Sequence, residues 1–468
     1  MRQSTLPQQP ILDSISATLS ARRSQLQPYQ LAEYHAAKNW LRRYRPERFL
    51  DSQPDDNLSQ VRGYLEAFYH LSQVADWQSA HQVAFAQVGA DAGAAQELHE
   101  LLFIWGYYRE QQRLHEGLLY RVSPEVDLVC LSSLGSLHDV WEQPHQAIEY
   151  QRQALALAQR LGSEAAKGTA LSNLGHASLS LGELSQAIDY YQQHLKIAQA
   201  LENLQSVGVA LGNLGNAYRL AEAYDRALDY VQQRIELAQT IGDRKGEGEG
   251  YSSLGSLYLQ QGRPTEAVEL LERAVAIAQQ IGHRKSECRA YGSLGLAYKA
   301  LSDKPKAVDC FERAIALAEL LEDREAQRLA ILQLGELYQQ LSRYPQAMRY
   351  QQQALAFVSD YLQVAALLLN LGSASRAVGQ LAEAIGFYET LLTTVALLDE
   401  TAGEKRLLHT MGLYCLALAH QASGDLKTAW RYCRAALDLA DESTVPLIVK
   451  CLDLQQALAE EIGKSLSA

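Results

Sequence analysis

The 468-residue chain is short of several things, and each shortage excludes something. No apolar stretch approaches the roughly 18–20 residues that a helix needs to cross a bilayer. The opening MRQSTLPQQPILDSISATLS lacks the continuous apolar run of a secretory signal, so a cytoplasmic location is expected. Cysteine is sparse: Cys130, Cys288, Cys310, Cys415, Cys433 and Cys451 include no Cys-x-x-Cys pair, which points to buried free thiols in a reducing compartment. Positive charge is scarce too. Lys and Arg number 42 against 54 Asp and Glu, and the net charge of −12 disfavours a general nucleic-acid or anionic-membrane surface. Only the first fifty residues run the other way, with eight Lys/Arg against three Asp/Glu, or +5, leaving −17 for the remaining 418.

Motifs of catalysis are missing as well. Gly463–Lys464–Ser465 echoes the end of a phosphate-binding P-loop, but Leu458 stands where the earlier glycine belongs. The glycines at 242, 246, 248 and 250 lie between two predicted helices rather than after a strand, and equivalent turns recur at Gly162 and Gly282. His99–Glu100 has no second histidine of a zinc-protease motif, and His81, His99 and His115 are not at metal-ligand spacing, so they read as surface or packing residues. No nucleophile–base constellation stands out. The expectation is a non-enzyme with no cofactor and no metal site.

What the chain does have is a period. Leu-Gly falls at Leu214–Gly215, Leu254–Gly255, Leu294–Gly295 and Leu334–Gly335, forty residues apart each time. Tyr218, Tyr258, Tyr298 and Tyr338 follow in register, as do Ala227, Ala267, Ala307 and Ala347. Fixed-period self-similarity marks a solenoid of stacked helical hairpins. Within one unit, Cys288, Tyr291, Leu294, Tyr298 and Leu301 keep helical spacing. Ser302, Asp303 and Pro305 interrupt it with residues suited to a cap and a first turn. Ala307, Val308, Phe311, Ala314, Ile315 and Ala318 then mark the face of a second helix. Gly295 and Ala307 are expected where the two helices approach closely, with Tyr298 and Phe311 filling space against the next hairpin.

Length alone suggests about three domains, but the repeats override that. Residues 1–57 read as a poorly ordered leader (to about residue 28) and a helix stopped near Pro46. In that helix Arg42, Arg43, Arg45 and Arg48 lie near Trp40 and Tyr44, either as a nucleic-acid patch or as a basic face packed on the acidic array; the second is adopted. Ser52–Asn57 reads as a loop, and residues 58–128 as degenerate helical repeats in which Ala80 and Gly106 stand for the repeat alanine and glycine. Residues 129–440 form an array of about eight units, the seventh arriving 37 residues after the sixth at Leu371–Gly372. Residues 441–468 supply a capping helix and tail.

A unit such as SNLGHASLSLGELSQAIDYYQQHLKIAQ (172–199) resembles the tetratricopeptide repeat, and the forty-residue period with LGNLGNAY and IGDRKGEG is similar to the long repeats of LGN/Pins scaffolds and of bacterial signalling NTPases. The resemblance is good over residues 129–439 and weak over 58–122. It implies an all-α, right-handed superhelix whose first helices line a concave groove for a partner protein or peptide. Carried onto this chain, the groove positions are Asn173 and His176; Asn213, Asn216 and Arg219; Ser253 and Ser256; Arg289, Ser293 and Lys299; and Gln333, Glu336 and Gln339. Their chemistry suits peptide binding, since amides donate to and accept from a peptide backbone, and Arg and Lys clamp carboxylates. The function expected is an interaction scaffold, an assembly or adaptor factor. The alternative is a regulatory sensor responding to a small molecule or short peptide. No nucleic-acid partner and no membrane insertion are expected. The G-protein-binding tail of the LGN/Pins scaffolds and the nucleotide-binding domain of the NTPases have no counterpart among these residues.

Overall fold

The structure is a computed structural model, and it describes residues 8–43, 54–88, 96–321, 323–358, 360–398, 403–440 and 445–467. Tyr44, Arg45, Pro46 and Arg48 lie outside the described residues. In chain order the elements are α1 (Gln9–Arg22), α2 (Pro28–Leu41), α3 (Pro54–Gln73), α4 (Trp77–Ala84), β1 (Gln87–Val88), β2 (Gln96–Glu97), α5 (Leu98–Ile104) and α6 (Tyr108–Leu118). Hairpins follow: α7 (Pro124–Val140) with α8 (Pro144–Leu161), α9 (Glu164–Ser180) with α10 (Leu184–Ala200), then α11 (Leu204–Leu220) and α12 (Tyr224–Ile241). After them come α13 (Arg244–Gln260) with α14 (Pro264–Gln280), α15 (Arg284–Ala300) with α16 (Lys304–Leu320), and α17 (Arg324–Gln340) with α18 (Tyr344–Leu355). The last are α19 (Tyr361–Ala377) with α20 (Leu381–Ala396), α21 (Gly403–Ala422) with α22 (Leu426–Leu439), and α23 (Val445–Ser467). The chain divides into two compact units, Met1–Tyr230 and Val231–Ala468. In each, consecutive helices pack on one another, giving an all-α solenoid of stacked hairpins.

The forty-residue period is written into the turns. Each first helix is capped by the side chain just before it: Ser123, Ser163, Asn203, Asp243, His283 and Asp323 each accept a hydrogen bond from the backbone N–H three residues on. Each such cap stabilises its helix by about 1 kcal/mol. Asp303 caps the second helix α16 in the same way. The chain reverses through left-handed residues twenty positions apart: Glu142, Gly162, Gly182, Glu202, Glu222, Gly242, Gly262, Gly282 and Ser302 all have φ between 51° and 76°. Glycine takes that conformation freely, whereas Glu and Ser hold it at a cost.

The helices of a hairpin meet where the Leu-Gly glycine faces the residue sixteen positions later: Gly175 on Tyr191, Gly255 on Leu271, Gly295 on Phe311, Gly372 on Tyr388. A Cβ on Gly295 would stand 2.7 Å from Phe311 Cε1. Phe311 therefore fills its own hairpin, which corrects the expectation that it packs on the next one. The repeat alanines 227, 267, 307 and 347 are fully buried. The tyrosines echo one another: Tyr298 donates to Glu272 at 2.6 Å and Tyr338 to Glu312 at 3.0 Å, while Gln192 donates to Tyr218 at 3.1 Å, every partner lying 26 residues earlier on the preceding second helix.

The N-terminal region departs from expectation in three places. Residues 9–22 are helix rather than loose leader, because Ile11, Leu12, Ile15 and Leu19 share one buried stripe. The loop expected at Ser52–Asn57 is already helix from Pro54, and residues 51–53 lie outside the described chain. Gly106 is not the repeat glycine: its φ is +80° and nothing approaches its Cβ position, so it serves a turn. The close approaches in this region are made at Gly117, where a Cβ would stand 2.8 Å from Phe68 Cζ, and at Gly63, where it would stand 2.7 Å from the Trp40 carbonyl oxygen. Ala80 is fully buried, as the repeat alanines are.

Candidate binding surface

The helices stack so that first helices meet first helices. Within the second unit α13 lies beside α15, α15 beside α17 and α19 beside α21, and within the first unit α7 lies beside α9. Each first helix carries one repeated burial pattern, in which the residue before Leu-Gly is half-buried and the residue after it faces solvent or nearly so. Nine of the thirteen sequence-predicted positions, Asn173, His176, Asn213, Asn216, Ser253, Ser256, Ser293, Gln333 and Glu336, occupy those two places on their first helices.

In the first unit, Asn213 of α11 reaches back to α9, donating to Ser172 Oγ at 3.3 Å and standing 3.4 Å from His176 Nε2. Arg219 donates to Asn216 at 2.9 Å. His176 sits edge-on to Tyr191, with ring centroids 5.5 Å apart. Desolvation pushes the His176 imidazolium below its usual range, and the Asp139 carboxylate pulls it partly back. Desolvation likewise lowers Arg219. Asn173 lines a separate cavity of about 620 Å³ that α5, α7 and α9 share with Gln111 of α6.

In the second unit the wall of first helices is laced with charge. Arg289 stands 3.5 Å from Glu249, which also pairs with Arg234. Lys299 bridges to the next repeat, donating to Gln333 at 2.9 Å and Glu336 at 2.7 Å. Arg289, Ser293 and Gln333 come together on a cavity of about 400 Å³ bounded by α15, α16 and α17. Ser253 and Ser256 instead donate to carbonyls of their own helix, those of Glu249 and Ser252. Gln339 accepts from Gln351 at 2.6 Å inside its own hairpin. Reasoning from the motif missed Leu296 and Leu329, which line the same cavity while 42% and 50% exposed. The signal was available, for Leu296 follows Leu-Gly where Asn216, Ser256 and Glu336 stand in neighbouring units.

The comparisons with known proteins agree with the all-α solenoid fold. A family model described as "Tetratricopeptide repeat" matches residues 131–200, 167–240 and 248–320, and a second of the same description matches 367–402. The array is built of tetratricopeptide repeats. No curated protein matches the sequence. Among solved structures, a Signal Transduction ATPase with Numerous Domains (STAND) protein with a tetratricopeptide repeat sensor, from Pyrococcus horikoshii, is 18% identical with a TM-score of 0.51. The match covers 77% of this chain but only 56% of that protein. A Rap protein complexed with Competence and Sporulation Factor is 12% identical over 86% of this chain and 99% of its own, with a TM-score of 0.46. BtubC from P. vanneervenii is 20% identical over 58% of this chain and 93% of its own, at a TM-score of 0.36. Tetratricopeptide repeats generally mediate protein interactions and are generally non-catalytic. Among the described residues no helix is long and apolar enough to cross a membrane.

Proposed function

We propose that this tetratricopeptide-repeat chain is a non-catalytic scaffold that takes a partner peptide or protein along the wall of its first helices, as an assembly or adaptor factor in the cytoplasm. The observation that supports this best is the cavity at α15–α17. Its apolar floor, Leu296 and Leu329, is edged by Lys285 and Arg289 of α15 and by Asp323 and Glu325 at the start of α17. An apolar floor anchors side chains, while the Gln333 amide and the flanking charges fix a main chain and its direction. Exposed apolar side chains grouped in a cavity with a polar rim are a feature of binding sites.

Capture from native lysate tests this, with wild type compared against Arg289→Ala with Gln333→Ala, Asn213→Ala with Arg219→Ala, and Arg313→Ala on α16. Partners lost only with wall variants support the reading; partners retained by every variant refute it. A second reading, a sensor for a small molecule or short peptide, draws on the same cavity and on the sensor repeats of the Pyrococcus protein. A ligand-dependent change in radius of gyration with no protein bound would favour it.

A further inference from the structure

The N-terminal region holds a group of side chains that partner binding does not use. β1 pairs with β2 in antiparallel register, Gln87 opposite Glu97, and Leu98 N–H donates to Ala86 O at 2.9 Å. This pins the turn from β2 into α5 and gathers Glu97, His99 and Glu100, whose ligating atoms lie within 4.8 Å of one another. His99 is only 5% exposed.

The imidazole is unsatisfied however it is protonated. Its Nε2 lies 2.8 Å from Glu97 Oε2, and its buried Nδ1 has no partner among the described residues. A proton on Nε2 serves the carboxylate and leaves Nδ1 as a bare buried lone pair. A proton on Nδ1 leaves the Nε2 lone pair facing carboxylate lone pairs. Either arrangement carries the cost of an unmade hydrogen bond, about 1–3 kcal/mol.

Independent features beside the cluster point the same way. His115, fully buried on α6, has neither ring nitrogen partnered, and its centroid lies 5.2 Å from that of His99. Gln111, 3% exposed with an unpartnered Oε1, lines the 620 Å³ cavity together with His99 and Glu100.

We propose that Glu97, His99 and Glu100 bind a divalent transition-metal cation of the zinc class at the mouth of this cavity. Two carboxylates and a neutral imidazole carry charge −2, which a divalent cation neutralises. One nitrogen and two oxygens suit zinc, cobalt, iron or manganese, whereas magnesium and calcium favour oxygen alone. Bonds of about 2.0–2.2 Å put tetrahedral ligands roughly 3.4 Å apart, so the His99–Glu97 pair at 2.8 Å would open slightly and donors as far as 4.8 Å apart would close in. Three protein ligands leave a fourth tetrahedral position open, beside the cavity that His99 and Glu100 line. Sequence spacing hid the site because the turn from β2 into α5, not a helical repeat of ligands, gathers the three residues.

The test uses the full chain, stripped with a chelator, titrated calorimetrically with zinc and followed by cobalt absorption in the visible. Glu100→Gln alters an exposed side chain and His99→Gln a buried one; circular dichroism checks the fold of both. One cobalt per chain with ligand-field bands is expected for wild type. Glu100→Gln should weaken binding at least about tenfold, no less than loss of an outer-sphere partner typically costs. Zinc should raise the melting temperature of wild type more than that of Glu100→Gln. Equal affinity and stoichiometry in wild type and Glu100→Gln, or magnesium and calcium binding as tightly as zinc, would overturn the assignment.

Discussion

The regular repeats and the N-terminal helices handle buried polar groups differently. Among the described residues from α7 to α22, buried side-chain atoms without a hydrogen-bond partner occur on six residues, Gln151, Ser178, Tyr191, His194, Gln351 and Arg376. Between Gln8 and Leu118, such atoms occur on Gln8, His81, Gln82, His99, Gln111 and His115. A repeat has to solve each polar need once, with a partner that recurs. The tyrosine hydroxyl finds Gln192, Glu272 or Glu312 at the same place in three of the four units, those of Tyr218, Tyr298 and Tyr338. A non-repeating region has no such rule, and an equal number of residues with unmet groups falls in a stretch about a third as long.

The largest expected effect that sharpens this contrast comes from the hairpin contact. Gly295→Leu drives a side chain into Phe311 and should destabilise by about 1–3 kcal/mol or more in urea unfolding. Gly292→Ala, three residues away with nothing within 4 Å of its Cβ position, should instead stabilise by about 0.5–1 kcal/mol. If both substitutions behave alike, the close-approach account fails.

Alkaline unfolding comes next. Burial, helped by Glu312, pushes the Tyr338 hydroxyl up to about 12. A folded value above the unfolded one means its contribution is intact below pH 10 and is lost as pH rises toward 12. The loss should reach about 2 kcal/mol at pH 12. Tyr338→Phe should flatten that part of the stability profile, and an unchanged profile would count against the buried hydroxyl.

Within the tyrosine series, Tyr298→Phe should cost about 1 kcal/mol by losing the bond to Glu272. Tyr258 has no hydrogen-bonded hydroxyl among the described residues and lies under Arg263, 4.3 Å from its ring centroid. Tyr258→Phe should therefore be close to neutral by thermal denaturation, and equal losses at the two positions would show that the hydroxyl bond is not what distinguishes them. Smallest is Ser302→Gly: relief at φ +61° outweighs the entropy lost, for a gain of a few tenths of a kcal/mol in melting experiments. A loss there would mean the left-handed turn is not strained.

Much of the fold was legible because its determinants recur. Leu-Gly, the tyrosine, the alanine and the cap each appear several times, so a period emerges from noise that one unit would not overcome. What sequence left hidden was singular. The helix at residues 9–22 has one apolar stripe and no copy, and Gly106 looked like a repeat glycine until its backbone placed it in a turn. On the wall, Arg289, Ser293 and Gln333 meet at a cavity, while Ser253, Ser256 and Gln339 turn to partners within their own hairpins, because a motif fixes which side a residue occupies but not which neighbour its side chain chooses.

The left-handed residues that recur every twenty positions have a further consequence. Because the boundaries after α8, α10, α12 and α14 turn through a left-handed residue at the same place, a block of forty residues between them can be excised or duplicated with its ends already matched. Length is thus a variable this architecture can change in whole steps, lengthening or shortening its reach without inventing a new junction.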